Sequence, residues 1–342
     1  MAIRKEYDFD LSGRNTFGMK VRCACFVEYD SEADLRRLDI GSLPQPVLPV
    51  GEGSNLLFTG DFPGTVLHSK ISFIKYVDLG LDDVYMAVGA GVHFDDFCAK
   101  ACEAGYWGAE NLSGIPGEVG AAAVQNIGAY GVEVKDIISG VVCYDVTNGT
   151  KVIFKVAECG YGYRESRFKG ADKGRFIVTS VLFHLTRRYS PRMEYKGIAE
   201  ALGDKSPVTP MEVREAVLGI RSSKLPDPKL IGSAGSFFKN PVVDESGFLE
   251  IASIARAEGI EQVPHFDLGE RNVKIPAAWL IDHCGLKGAS EGGAAVYEKQ
   301  PLVIVNLDGN ATPQDILALE TRVQKEVKDK FGVLLHPEVE HI

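Results

Sequence analysis

The chain has 342 residues, 45% hydrophobic and 25% charged, the composition of an ordinary globular protein with room for two cores. Its 37 basic and 47 acidic residues leave a net charge of −10, which argues against nucleic acid or an anionic membrane as the main partner. An anionic small substrate, which needs only a local cluster of cations and N–H groups, stays open. The opening MAIRKEYDFD carries no apolar leader segment, and no run approaches the ~18 apolar residues of a membrane span.

Taken in chain order, the first half is rich in strand signals. PVLPV leads into the loop GEGSNL, and YVDLG and VYMAVGAG, around residues 76 to 91, are short apolar runs broken by Gly and Asp. In DDFCAKACEAG and the residue before it, Phe94, Phe97, Cys98, Ala101 and Cys102 recur at helical spacing and Gly105 stops the helix. VVCYDVTNGTKVIFKV reads as a hairpin about Asn148-Gly149, and RFIVTSVLFHLTR as a further strand. The stretch from 188 to 210 is the expected boundary. Beyond it, TPMEVREAVLGIRSSK opens with a capping box, Thr209 and Glu212 flanking Pro210. SGFLEIASIARAEG and IPAAWLIDHCG read as helices, PLVIVNL as a buried strand, and TPQDILALETRVQKEVKDKFG as the clearest helix, with Ile316, Leu319, Val323 and Val327 on one stripe. The predicted class is α+β: a strand-rich part to about residue 205, then a mixed domain.

The seven cysteines (Cys23, Cys25, Cys98, Cys102, Cys143, Cys159 and Cys284) are scattered, with no C-x-x-C pair to suggest zinc. They read as core thiols of a reducing, cytoplasmic setting, with no metal. Three G-x-G stretches occur, but none completes G-x-G-x-x-G, and no P-loop is present. In GEGSNL, the small residues Gly51, Gly53, Ser54 and Asn55 can turn several backbone N–H groups into one concavity, which suits a pyrophosphate. ENLSGIPGEVGAAAVQNIGAYGVEVKD, residues 110 to 136, is crowded with Gly and Ala yet retains Ile115, Val119, Val124, Ile127 and Tyr130. It reads as backbone packed against something large and flat, or as a tight Gly/Ala helix crossing. In IGSAGSFFKNP a lone hydroxyl, Ser236, stands between Gly235 and two phenylalanines, the pattern of a turn into a buried strand.

NLSGIPGEVGAAAVQNIGAYG, GEGSNL, YGYRESRFK, RSSKLPDP, AGSFFKNP, GGAAV and LHPEVE occur in the order and spacing of the UDP-N-acetylenolpyruvoylglucosamine reductases, which the chain resembles from about residue 14 to its end. The resemblance implies an FAD-binding domain of the PCMH/vanillyl-alcohol-oxidase type over 1–205. A mixed α/β substrate-binding domain over 206–342 follows, with 333–342 returning to the active site. It implies that FAD, held without a covalent tether since GEGSNL lacks His and Cys, meets Gly51, Gly53, Ser54 and Asn55 and the segment containing Ser113, Gly114, Ile115, Pro116, Gly117, Gly120, Ala121, Gln125, Asn126, Gly128 and Tyr130. Position 123 is Ala where the family usually has Pro.

The implied reaction is reduction of the enolpyruvyl ether of UDP-N-acetylglucosamine enolpyruvate to UDP-N-acetylmuramate in peptidoglycan synthesis. NADPH is the hydride donor, hydride reaches C3 from flavin N5, and C2 is protonated. By resemblance Arg164 clamps the substrate carboxylate, a task for a planar, permanently charged fork. Glu338 donates to the enolate, which requires its protonated form and hence a raised pKa. Ser236 delivers the proton. Lys224 and Asn240 match the nucleotide contacts, and Tyr195 in PRMEYKGIAEALG matches the substrate loop of the family's longer form. A monomer is expected. The alternatives are a flavin oxidase on the same fold and a nucleotide-sugar-binding protein without catalysis.

Overall fold

The computed structural model describes residues 3–78 and 82–342, so the Leu79-Gly80 end of the YVDLG run lies outside the described residues. The chain forms two compact units, one of 1–10, 22–52 and 62–223 and one of 11–21, 53–61 and 224–342.

The first unit is built on a four-stranded and a five-stranded sheet. In one, Arg4–Asp10 pairs antiparallel with Arg22–Tyr29, which continues in parallel to Phe62–Ser69 and then Val47–Val50. The other is an antiparallel sheet in the order Thr150–Lys155, Ile138–Asp145, Phe176–Thr186, Asp83–Gly89 and Ile74–Asp78. The hairpin expected around Asn148-Gly149 is its edge: Asp145 pairs with Thr150, and Gly149 takes a φ of +66°. Asp145 organises the turn by accepting from the Thr147 N–H at 3.0 Å and the Asn148 amide at 2.9 Å.

Two short helices, α1 (Glu32–Arg37) and α2 (Phe94–Glu103), follow Ser31 and His93. The whole predicted stripe of α2 is buried, and Phe97 stacks on Phe183 at 4.0 Å. Burying a Phe contributes about 2–3 kcal/mol, enough to fix the helix on the sheet. Helix α3 (Val119–Gln125) packs against the same sheet. A Cβ on Gly120 would lie 2.9 Å from that of Ala90, so here the glycine serves a close helix–strand approach.

The expected domain cut at residue 205 is displaced. After α4 (Lys196–Leu202) comes α5 (Pro210–Lys224), whose capping box forms as predicted, Thr209 Oγ1 accepting from the Glu212 N–H at 3.2 Å and Glu212 accepting from the Thr209 N–H at 2.9 Å. Its buried Val213 and Val217 join Trp107, Ile198 and Leu202 in one cluster, which ties the helix to the first unit. Conversely, two early segments belong to the second unit. Thr16 and Phe17 offer carbonyls to Ser233 N and Asn306 Nδ2 at 3.0 and 2.9 Å, and Leu56–Leu57 pairs in parallel with Glu340–His341.

The second unit is built on an antiparallel sheet of Gly232–Ser236, Val303–Asn306, Ala294–Val296 and Ser290–Glu291. Helices α6 (Glu245–Ala257), α7 (Ala277–His283) and α8 (Pro313–Phe331) complete it. Val303–Asn306 is buried throughout, as the PLVIVNL run predicts, and the α8 stripe of Ile316, Leu319, Val323 and Val327 is wholly buried. No described helix is long and apolar enough to cross a membrane. All seven cysteines are free thiols, and among the described residues no group of His, Cys, Asp or Glu is arranged for a metal.

Candidate active site

In the first unit, Arg164 stands at the tip of a tight turn closed by reciprocal backbone bonds between Gly162 and Glu165 at 3.0 and 3.1 Å. Its φ of +57° is costly for a residue with a Cβ and marks a position set by its surroundings. The guanidinium donates to the Gly128 carbonyl at 2.7 Å and the Asn126 carbonyl at 3.4 Å, with Glu133 at 4.0 Å. A Cβ on Gly128 would lie 2.9 Å from Arg164 Nη1, so this glycine makes room for the arginine.

Asn126, which the resemblance assigns to the cofactor segment, has partners within the protein. It is fully buried in the left-handed cap of α3. Its amide donates to the Gly162 carbonyl at 2.7 Å and to Glu133 at 3.2 Å, and its oxygen accepts from the Lys135 N–H at 3.2 Å. These bonds tie the end of α3 to the Arg164 turn.

The segment from Ser113 to Tyr130 forms a turn, α3 and a short strand, with Gly114 and Gly117 at φ of +72° and +110°. The Gly114 N–H donates to Asp95 Oδ1 at 2.6 Å, and Asp95 in turn takes a two-pronged pair from Arg214 of α5. Burial pushes the Asp95 carboxyl up, but the bonds from Arg214 and Gly114 outweigh it and leave the group below the usual carboxylate range. Arg221, two turns further along the same face of α5, packs on Gly114 and interacts with Tyr130. Burial lowers the Arg221 guanidinium and raises the Tyr130 phenol, their mutual attraction opposing both shifts. Tyr130, at φ +49°, meets Tyr195 edge-on with ring centres 5.0 Å apart. The Gly117 N–H donates to Glu52 at 2.8 Å.

These residues fit an FAD. Ser113 Oγ and Asn111 Oδ1 are buried without a hydrogen-bond partner, an uncommon cost that a cofactor's polar groups would relieve. Gly114, Ile115, Ala121, Gln125, Gly128 and Tyr130 are only half-buried, Pro116 is exposed, and Gly117 is buried. The glycines are not pruned for a ligand alone, since Gly114, Gly120 and Gly128 each answer to a protein neighbour. Sequence reasoning missed Asp95, Arg214 and Arg221. Only Arg221, the first residue of RSSKLPDP, carried a signal that could have revealed it.

In the second unit, the strand carrying Ser236 has a bulge. Ser233 pairs with Val305 and Ser236 with Val303, so one extra residue is accommodated, with Gly235 at φ +71°. A bulge re-aims the side chain that follows it, here the half-buried Ser236. The C-terminal segment runs alongside: Glu338 N donates to the Phe237 carbonyl at 2.8 Å, Lys239 N donates to the His336 carbonyl at 2.8 Å, and Phe238 bridges Pro337. Ser236 and Glu338, a hundred residues apart in sequence, thus lie on paired segments. Asn55 joins them, its amide donating to the Glu338 carbonyl at 3.2 Å while its own carbonyl accepts from Glu340 N at 3.0 Å. Gly53, at φ +67°, leaves no space for a Cβ, which would lie 2.4 Å from the Arg14 carbonyl. Asn240 uses its oxygen to accept from the first N–H of α7 at 2.9 Å, leaving its amide N–H groups for other partners. Lys224 is exposed at the end of α5.

The family model for the C-terminal domain of UDP-N-acetylenolpyruvoylglucosamine reductase matches residues 227–342, and an FAD binding domain model matches 24–154. The reductase of Bacteroides fragilis strain YCH46 is 46% identical, covering 98% of this chain and 100% of its own. That of Chromobacterium violaceum is also 46% identical, covering 99% of both. The chain belongs to the UDP-N-acetylenolpyruvoylglucosamine reductase family. The crystal structure of the reductase from Thermus caldophilus superposes with a TM-score of 0.69 at 26% identity, over 100% of this chain and 99% of that one. As a member of this reductase family the chain is an FAD-dependent oxidoreductase of peptidoglycan synthesis, with the FAD-binding and C-terminal domains that the resemblance implied.

Proposed function

We propose that this reductase takes its hydride from NADPH and delivers it to C3 of UDP-N-acetylglucosamine enolpyruvate, with Ser236 protonating C2. FAD, when bound, supplies the hydride-transfer chemistry. The chain's own residues orient the substrate and handle its charge. Arg164 donates two N–H groups to backbone carbonyls, which fixes its plane, and in this reading its planar, permanently charged fork clamps the substrate carboxylate. As charge builds on C2 and the carboxylate, Glu338 hydrogen-bonds the enolate and Ser236 Oγ–H gives up its proton to C2. Tyr195, Lys224 and the free amide hydrogens of Asn240 meet the nucleotide. Gly51, Gly53, Ser54, Asn55 and the segment from Ser113 to Tyr130 hold the FAD without a covalent tether. The domain roles assigned to the two parts of the chain, a monomeric state and a cytoplasmic location complete the reading, the last supported by seven free thiols.

The observation that carries it is the pairing of the segments bearing Ser236 and Glu338, joined through Phe237 and Asn55. The test is anaerobic reduction of the purified protein with NADPH, followed by the UDP-sugar enolpyruvate, air or buffer. Restoration of the oxidised flavin spectrum by the UDP-sugar is expected. Rapid restoration by air with no response to the UDP-sugar would identify an oxidase instead.

A further inference from the structure

Across the four-stranded sheet of the first unit, Arg4, Glu28, His68 and Val50 stand in register on adjacent strands. The side chains of the first three continue that row: Arg4 Nη1 meets Glu28 Oε2 at 2.9 Å, and Glu28 Oε1 meets His68 Nδ1 at 3.0 Å. On its other side His68 Nε2 meets Oε1 of Glu118, the residue before α3, at 2.9 Å. Glu28, His68 and Glu118 are all buried, and the Phe26 ring stacks near the imidazole at 6.2 Å. The row ends at Gly51, the residue after Val50, where a Cβ would lie 3.2 Å from Glu118 Oε2. A carboxylate therefore lies directly behind the first turn of GEGSNL.

A carboxylate only accepts hydrogen bonds, so an imidazole held between two of them donates from both nitrogens and carries a positive charge. The row then alternates in sign, Arg4 plus, Glu28 minus, His68 plus, Glu118 minus, which is how a buried chain of charges avoids the penalty of an unpaired one. Besides Glu28 and Glu118, the ionisable groups that face this row include Arg4, at its solvent end, and Tyr29, which interacts with Glu118.

We infer that His68 is a cationic positioning residue for cofactor binding: its imidazolium neutralises Glu118 behind Gly51 and so lets the GEGSNL turn accept an anionic group. This rests on the reading that GEGSNL holds the FAD pyrophosphate. An unneutralised carboxylate there would repel the phosphates through a largely water-free path, where charge interactions are only weakly screened.

The test follows FAD release from diluted holoenzyme by flavin fluorescence. Ser54→Asp places a negative charge in the loop itself and should release FAD; unchanged release would refute the loop assignment without touching the His68 geometry. With the loop assignment standing, His68→Gln should weaken FAD binding about tenfold or more. The double variant His68→Gln/Glu118→Gln, which removes both charges, should return it to within about threefold of wild type. Unchanged binding in His68→Gln, or a double variant as weak as the single one, would overturn the inference. Two measurements hold even where His68→Gln fails to fold. Nitrogen NMR of histidine-labelled wild-type holoenzyme should show both His68 nitrogens protonated at neutral pH, and a neutral ring would overturn the proposal. Glu118→Gln alone should keep FAD at least as tightly as wild type, and loosened FAD in that variant would also count against it.

Discussion

Around Arg164, orientation comes from hydrogen bonds made by side chains, whereas around Ser236 it comes from the path of the backbone. The guanidinium is anchored on the carbonyls of Gly128 and Asn126, and the Asn126 amide braces the turn that carries it. Ser236 instead follows a bulge at Gly235 and lies next to a segment held by backbone pairing to the C-terminus. The difference follows from side-chain length. Holding a long Arg side chain in place costs up to about 2 kcal/mol of rotamer entropy, so its head group must be pinned directly. A serine has one side-chain torsion, and whatever sets its Cα–Cβ direction sets its hydroxyl.

The largest effect should come from removing the hydroxyl while leaving its backbone intact. In Ser236→Ala, NADPH should bleach the flavin at a near-normal rate while recovery with the UDP-sugar falls by about 10²–10⁴-fold, as expected for loss of a positioned proton donor. Ser236→Cys should regain part of that loss. Stopped-flow traces separate the two phases, and a normal recovery phase in the Ala variant would remove Ser236 from the role of acid.

Arg164→Lys keeps the charge and loses the fork. We expect kcat/KM for the UDP-sugar to fall by about 10²-fold, the scale of one or two charge-assisted hydrogen bonds, with flavin bleaching by NADPH affected far less. Equal losses in both phases would mean that the arginine supports the flavin instead.

Gly235→Ala probes the backbone half of the comparison. A Cβ there has open space around it, so the cost is the strain of a φ of +71°, about 1 kcal/mol in melting experiments. If the bulge aims Ser236, turnover should also fall by roughly tenfold. A stability loss with full turnover would separate the bulge from the chemistry.

The smallest effect belongs to Asp95→Asn. The Asp95 side chain is 37% exposed, so solvent screening limits the loss to about 1 kcal/mol at neutral pH. Because the folded carboxyl is held below its ordinary value, its stabilisation is present above the unfolded pKa and disappears as pH falls through the folded one. Wild type and variant should therefore melt apart at pH about 7, the gap should shrink as pH falls below the ordinary aspartate value of about 3.9, and it should close once the folded carboxyl is protonated. A constant gap across that range would show that the contact does not depend on ionisation.

Local signals in the sequence read well wherever a single segment holds all the information. The α2 and α8 stripes, the capping box at Thr209 and the hairpin at Asn148-Gly149 all form as their spacing predicts. The readings that the structure extends or shifts concern residues whose partners are remote in sequence. Asn126 and the glycines of the 110 to 136 segment read as ligand contacts, and their partners proved to include Gly162, Ala90, Arg164 and Arg221. The boundary near 205 failed for the same reason: α5 looks like the start of a new domain until Val213 and Val217 are seen to share a core with Trp107.

By itself the sequence determined the elements, the family and the residue types that the chemistry demands, because periodicity, caps, turns and long motifs are properties of neighbouring residues. Tertiary structure alone decided which units those elements join, that Ser236 follows a bulge beside Glu338, and that His68 lies between two carboxylates. Each of these depends on pairings between distant segments. Such pairings are selected by the free energy of burying and satisfying all the groups together, and no local pattern records that sum.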